Sequence, residues 1–238
     1  MTRARSGALM LAAVALIAAA AFAVTRLGET HPVEPTGRPT LLLLTSLPLV
    51  FGEQFSLEGG SPALKALQGR YRVVPISVTS PEDLSKGRLL LLAQPPAQTA
   101  ENLVALDDWV RGGDRVLLFA DPMLEWPSSR PLGDPLRPAP IFMDTGLLQH
   151  WGVRLDAPDQ RGSAIRRLGG YEVLTASPGA LSGKCAISPD RLVAECAIGR
   201  GRAIIVADAD LLDTADLGPG ASRNLHALLS ELASLHDR

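Results

Sequence analysis

Three aspartates follow apolar runs of the kind that end in buried strands: Asp121 after Val-Leu-Leu-Phe-Ala, and Asp208 and Asp210 after Ile-Ile-Val-Ala. In open parallel sheets ligands gather beyond the carboxyl ends of the strands. Grouped there, Asp121, Asp208 and Asp210 could hold a hard cation such as Mg²⁺. The competing role is capping, with carboxylate oxygens accepting free backbone amides at strand ends and turns. Capping is the expected role, because Asp-x-Asp is a common chance pattern and no phosphate-binding loop accompanies it. Asp208 to Asp216 also lacks the glycine and closing glutamate of a calcium loop.

Nucleophilic chemistry finds less. The strand over Arg115–Ala120 runs into Asp121-Pro122, and no Gly-x-Ser-x-Gly or equivalent cysteine elbow occurs. His31 falls in a linker and His236 in the tail. His150 and His226 fall on expected helices with no evident acidic or nucleophilic partner, so neither is expected to act as a general base. Gly199-Arg200-Gly201 precedes a strand and so reads as a turn rather than a dinucleotide site. Trp109 and Trp151 fall on expected helices, where core packing is the expected role. No metal centre and no cofactor is expected.

Cys185 and Cys196 flank Ser188-Pro189-Asp190-Arg191. A hairpin centred on Asp190-Arg191 would set them opposite each other, and in an oxidising compartment a cross-strand disulfide follows. Two buried free thiols are the alternative. No histidine lies nearby to complete a metal shell.

The elements that must position these residues alternate in type. Apolar runs at Thr40–Leu47, Tyr71–Ile76, Arg88–Ala93, Arg115–Ala120 and Arg202–Ala207 predict strands, most of them covered on both faces. Ser61-Pro62 opens a helix that Gly69 is expected to close. Thr99 caps another that runs to Arg111 before Gly112-Gly113. Asp121–Pro140 is proline-rich and without periodicity, hence a loop, and Asp144–Trp151 predicts a helix ending at Gly152. Val153–Ile198 breaks into short β-like pieces, read as antiparallel hairpins added to the main sheet. Ser222–His236 is the closing amphipathic helix, with Leu225, Leu228, Leu229 and Leu232 facing inward. The whole predicts an α/β fold: a three-layer, mostly parallel sheet with added hairpins.

Ahead of this domain, Ala8–Val24 carries no charge or strongly polar group, and Arg3 and Arg5 precede it. As a helix it spans roughly 25 Å, close to a bilayer core. The arginines keep the N-terminus cytoplasmic. An uncleaved anchor is the expected state, and a signal cleaved after Ala21-Phe22-Ala23 is the alternative. Either exports the α/β domain. The organisation is therefore a signal anchor over residues 1–27, a Pro/Gly-rich linker over 28–39 and an extracytoplasmic α/β domain over 40–238. With 23 Lys+Arg against 25 Asp+Glu, and no basic block or aromatic-laced basic stripe, no nucleic-acid partner is expected.

Several segments carry a resemblance. Arg88-Leu-Leu-Leu-Leu-Ala-Gln-Pro-Pro96 precedes the helix ending in Gly112-Gly113, and Arg115–Pro122 ends in Asp-Pro. Gly146–Val153 comes next. Gly201–Leu212 then carries the Asp-x-Asp, with Asn224 in the last helix. This pattern resembles the extracytoplasmic domain of gliding-motility-type ABC transporter auxiliary proteins and related uncharacterised domains with a glutamine-amidotransferase-like fold. The resemblance implies a membrane-tethered, non-catalytic subunit in the inner membrane, with its C-terminal domain in the periplasm beside a permease and an ATPase. It also implies that Asp121, Asp208, Asp210 and Asn224 are the residues to inspect for ligand binding. The reactive cysteine of true amidotransferases is absent. The alternatives are a metal-dependent hydrolase using the strand-end aspartates and a periplasmic solute-binding module.

Overall fold

The computed structural model describes residues 37–50, 60–131, 133–218 and 220–237. The leader, its cleavage site and most of the linker lie outside the described residues. Among those described, no helix is long and apolar enough to cross a membrane.

Five strands run parallel and form most of one sheet: β1 (Thr40–Thr45), β2 (Arg72–Pro75), β3 (Leu89–Ala93), β4 (Arg115–Phe119) and β11 (Gly201–Val206). β10 (Val193–Ile198) and β9 (Ala186–Ile187) extend it antiparallel, giving the order β2-β1-β3-β4-β11-β10-β9. The winding reverses between β1 and β3. Leu41–Leu44, Leu89–Leu92, Val116–Phe119 and Ala203–Val206 are buried without alternation. Both faces of these strands are therefore covered, which is why the sequence shows unbroken apolar runs.

The helices are set by their caps. The Ser61 side chain accepts the Leu64 amide at the start of α1 (Pro62–Arg70), and Thr99 accepts the Asn102 amide at the start of α3 (Ala100–Arg111). α1 runs through Gly69 instead of stopping there, because the Tyr71 amide still bonds the Leu67 carbonyl. Ser80 caps a short extra turn, α2 (Pro81–Leu84). The helix expected over Asp144–Trp151 shortens to α4 (Leu147–His150), since Asp144 turns outside it and caps the Gly146 and Leu148 amides. α5 (Ser222–Asp237) closes the fold and packs against α1 and β4.

The segment between β4 and β10 departs most from expectation. Only β9 joins the main sheet with β10. β5 (Val153–Asp156) pairs with β8 (Ala180–Gly183), and β6 (Ser163–Leu168) pairs with β7 (Tyr171–Ala176), as two separate antiparallel ribbons. The β6–β7 hairpin is held against α5: Ser230 Oγ donates to the Gly169 carbonyl at 3.1 Å. Gly201 starts β11 where a side chain would collide with the Val110 and Asp114 carbonyls, so the end of α3 can approach β11 this closely only because a glycine stands there.

Candidate functional site

β4 and β11 are parallel neighbours, so Asp121 and Asp208–Asp210 emerge side by side at the carboxyl rim of the sheet. Each carboxylate accepts from backbone amides. Asp121 Oδ2 accepts from Ala209 N at 2.7 Å and Asp210 N at 3.4 Å, while Oδ1 accepts from Met123 N at 2.8 Å. Asp208 Oδ1 accepts from Leu211 N at 2.7 Å and Oδ2 from Ala176 N at 2.9 Å. Asp210 Oδ2 accepts from Glu125 N at 2.8 Å. Glu125 adds its own carboxylate, whose Oε1 accepts the Ser177 hydroxyl at 2.6 Å.

This geometry matches capping. Among the described residues no group of three or more His, Cys, Asp or Glu is arranged to hold a metal ion. Burial pushes the Asp121 carboxyl up to about 6 against its amide bonds, with Glu125 adding to the rise. Burial likewise lifts Asp210 to about 7, reinforced by Asp121, Glu125 and Asp213. Asp208 is raised well above the usual carboxylate value, by burial first and then by Asp121 and Asp210. Carboxyls tuned toward neutrality often mark catalytic sites, but only where substrate can reach the oxygen. Asp121 and Asp208 are 0% exposed and Asp210 2%.

Gln94, the residue after β3, completes the rim. Its backbone lies in the left-handed region at φ 44° and its side chain is buried. Oε1 accepts from Asp121 N at 2.9 Å, and Nε2 donates to the Asp121 carbonyl at 3.2 Å and the Ala139 carbonyl at 3.1 Å. Across the point where the winding reverses, Ser46 Oγ donates to the Gln94 carbonyl at 2.5 Å and Thr45 Oγ1 to the Ala93 carbonyl at 2.8 Å. A sharply turned residue at a strand end is where such sheets can present a nucleophile. Here it is an amide with its bonding capacity used. The sequence signal was Gln94-Pro95-Pro96 closing an apolar run, and sequence reasoning did not single out Gln94, Glu125 or Ser177.

Asn224, buried on α5, also serves backbone. Oδ1 accepts from Leu174 N at 2.9 Å, and Nδ2 donates to the Leu174 carbonyl at 2.8 Å and the Leu211 carbonyl at 2.9 Å. With Glu231 it shifts the buried face of α5 away from Leu225 and Leu229, which are only partly covered.

Away from the rim, His150 does have an acidic partner. Asp107 Oδ2 lies 3.2 Å from His150 Nε2 and 2.5 Å from Arg111 Nε, while Asp107 Oδ1 accepts from Trp151 Nε1 at 2.8 Å. Burial pushes the Asp107 carboxyl up, but the bonds from Arg111, Trp151 and His150 outweigh it and hold it below the usual value. This cluster of Asp107, Arg111, His150 and Trp151 fastens α3 to α4. His226 is exposed. Cys185 and Cys196 are joined as a disulfide, with Cα atoms 4.8 Å apart beside the β9–β10 pairing.

Two concavities flank these features. An apolar hollow of about 20 Å³, room for about one water, lies between Leu92, Pro96, Leu103, Leu118, Phe142 and Met143. A polar groove of about 460 Å³ runs between the β6–β7 turn, β9–β10 and α5.

No protein-family model and no curated protein matches the chain. Solved structures match its fold. The N-terminal domain of IFT52 (mmIFT52) superposes with a TM-score of 0.52 at 14% identity, over 82% of this chain and 97% of that domain. Cytoplasmic protein STM3548 from Salmonella typhimurium gives 0.51 at 8% identity, over 82% and 98%. The exo-β-1,4-mannosidase Op5Man5 from Opitutaceae bacterium strain TAV5 gives 0.49 at 14%, over 84% of this chain but 36% of its own. The chain spans about a third of the length of that enzyme. At these identities the first two likenesses show the fold alone: a mixed α/β domain with a mostly parallel central sheet and antiparallel hairpins.

Proposed function

We propose that the chain is a membrane-anchored, non-catalytic accessory protein of an ABC-type transport or envelope system, acting by binding. On this reading residues 1–27 hold it in the inner membrane, 28–39 tether it, and the α/β domain works in the periplasm beside a permease and an ATPase. The sheet is read more finely as the three-layer, glutamine-amidotransferase-like or flavodoxin-like type. The order β2-β1-β3-β4-β11, reversing between β1 and β3, supports that.

The observation that carries the reading is the rim. Where this architecture would expose reactive groups, the acids and Gln94 are sealed and bonded to backbone. Such a rim positions loops and does no chemistry on a bound molecule. Two further features support the reading. The leader is too apolar to remain in water, and the Cys185–Cys196 bridge suits an oxidising compartment. Extraction of native membranes in mild detergent, then capture of the tagged chain, tests it. The permease and ATPase are expected to co-purify in fixed proportion, and a solitary protein overturns the reading.

A further inference from the structure

The five parallel strands point the same way, so their first residues share one edge of the domain, opposite the acid-bearing rim. Every strand brings arginine to that edge. β2 opens at Arg72, beside Thr40 of β1, and Arg70 and Arg38 lie two residues ahead of these two starts. Arg88 immediately precedes β3. β4 opens at Arg115, level with Arg202 of β11, and Arg200 lies just ahead of β11. At the usual strand spacing the row runs about 20 Å across the sheet. Asp114 is the one acid within two residues of these starts.

Folding alone assembles the row, since its members are scattered between positions 38 and 202 and form no basic block in the sequence. The helix dipole accounts for Arg70, in the last turn of α1. A sheet has only a small net dipole, so that explanation stops there. Local bonds do not exhaust the guanidinium groups, each of which has five N–H donors. Arg38 donates to the Gln68 carbonyl, Arg72 to Thr40 Oγ1 and Arg115 to the Gly113 carbonyl. Arg88 Nε pairs with Asp114 at 3.0 Å, and Arg202 Nη1 with Glu195 at 3.3 Å. Arg70 and Arg200 are exposed, and among the described residues their side chains make no hydrogen bond or ion pair. Lys86 and Arg111 beside the row are matched by Asp83 and Asp107, and Asp237 lies near Tyr71. Arginines still outnumber acids along the edge.

The chain also enters the domain here, at Arg38. Residues 28–37 extend at most about 35 Å. With the leader in a bilayer, the arginine edge is the part of the domain that this tether keeps within reach of the membrane surface.

We propose that the arginine edge seats the domain on anionic phospholipid head groups of the membrane that holds the leader, a proposal that rests on the anchoring read above. Guanidinium forks bind phosphate oxygens in pairs. Each arginine brought to an anionic surface biases seating about fivefold. A nucleic acid would meet the same charges, but a membrane is what lies at the end of the tether. Seated this way, the domain turns its carboxyl rim and the loops fastened there away from the bilayer.

Two measurements on the full chain test the proposal and its premise separately. Flotation with phosphatidylcholine vesicles in about 1 M salt reads the leader alone, because salt screens the arginines. Energy transfer to a head-group dye reads the seating, from a donor at Gln68→Cys near the edge or at Ala215→Cys near the rim. When about 30% of the lipid is phosphatidylglycerol, transfer from the edge donor is expected to rise at least about twofold over phosphatidylcholine, with no rise from the rim donor. Arg70→Gln with Arg200→Gln, which removes no bond among the described residues, is expected to cut the ratio of seated to free domain at least about tenfold. A chain that floats with phosphatidylcholine but shows no response to phosphatidylglycerol overturns the seating and leaves the anchor standing. So does a response undiminished in the double variant, or binding of duplex DNA without a lipid response. Flotation that requires phosphatidylglycerol and low salt, and is lost in the double variant, overturns the anchor alone. Flotation with neither lipid overturns both. If the double variant does not fold, the wild-type comparison of the two lipids decides.

Discussion

Asp121 accepts the amide of Ala209 at 2.7 Å across 88 positions of sequence. The bond joins the carboxyl ends of two parallel strands, β4 and β11, whose ladder stops at the Phe119–Val206 pair. Beyond that pair the backbone of each strand turns away, and a side chain continues the work of the ladder. Asp208 does the same toward β7, and Asp210 toward the loop after β4. The aspartates at this rim are extensions of the sheet.

Asp121→Ala should therefore destabilise the domain by about 2–4 kcal/mol, the cost of leaving the Ala209, Asp210 and Met123 amides without that acceptor. Asp121→Asn should cost less, since one oxygen remains to accept. Urea denaturation of the purified variants reads both, and an alanine variant indistinguishable from wild type would contradict the bonding role.

The same rim sets the sign of a pH dependence. The folded carboxyls of Asp121 and Asp210, at about 6 and about 7, lie above the unfolded value of 3.8. Between those limits the native state holds protons that the unfolded chain has released. Stability must fall as pH rises from about 4 to 7, each carboxyl contributing a slope of at most about 1.4 kcal/mol per pH unit. Asp107 and Asp190 are lowered, so their contribution is lost only as pH drops below about 4. Thermal unfolding should thus show a higher midpoint at pH 5 than at pH 8, by on the order of 5 °C or more. The reverse order would rule out buried, proton-holding carboxyls.

Reducing the Cys185–Cys196 bridge reopens a loop of 11 positions. In the chain-entropy account that removes about 3 kcal/mol. Cys196 is buried in the core beside β9, whose two residues are the shortest pairing in the main sheet. The loss should appear as a lowered denaturation midpoint under reductant, with the β9 amides exchanging first. A variant with both cysteines replaced by alanine should match the reduced protein.

The parallel core was legible because full burial on both faces leaves an unmistakable trace: Leu41–Leu44 and Leu89–Leu92 have no polar partner to alternate with. Ser61 and Thr99 were legible because capping is local chemistry. The hairpin region was not, since which ribbon pairs with which depends on distant contacts; β5 must reach past β6 and β7 to find β8. The rim was half legible. Asp121, Asp208 and Asp210 stand out from apolar runs, but Gln94, Glu125 and Ser177 complete the network from loops whose placement no local pattern encodes. His150 shows the same limit. Its partner Asp107 lies 43 positions away on another helix.

Asn224 offers the sharpest separation between a ligand-binding role and a backbone role. On the buried face of α5 it imitates one rung of a strand: it accepts from Leu174 N and donates to the Leu174 and Leu211 carbonyls. Asn224→Ala leaves three backbone groups without that partner and should cost about 2–4 kcal/mol. Asn224→Asp is nearly isosteric, yet it turns a donor toward two carbonyl oxygens into an acceptor. The acid can satisfy one of those carbonyls only while protonated. The folded carboxyl of this variant must then sit above its unfolded value, and its stability must rise as pH falls through the range between them. Denaturation at pH 5 and pH 8 should show Asn224→Asp recovering toward wild type at the lower pH, while Asn224→Ala shows no recovery beyond the pH response of the wild type. An aspartate variant as stable as wild type at pH 8 would mean that the amide nitrogen is not needed by the backbone, and would return Asn224 to the set of candidate ligand contacts.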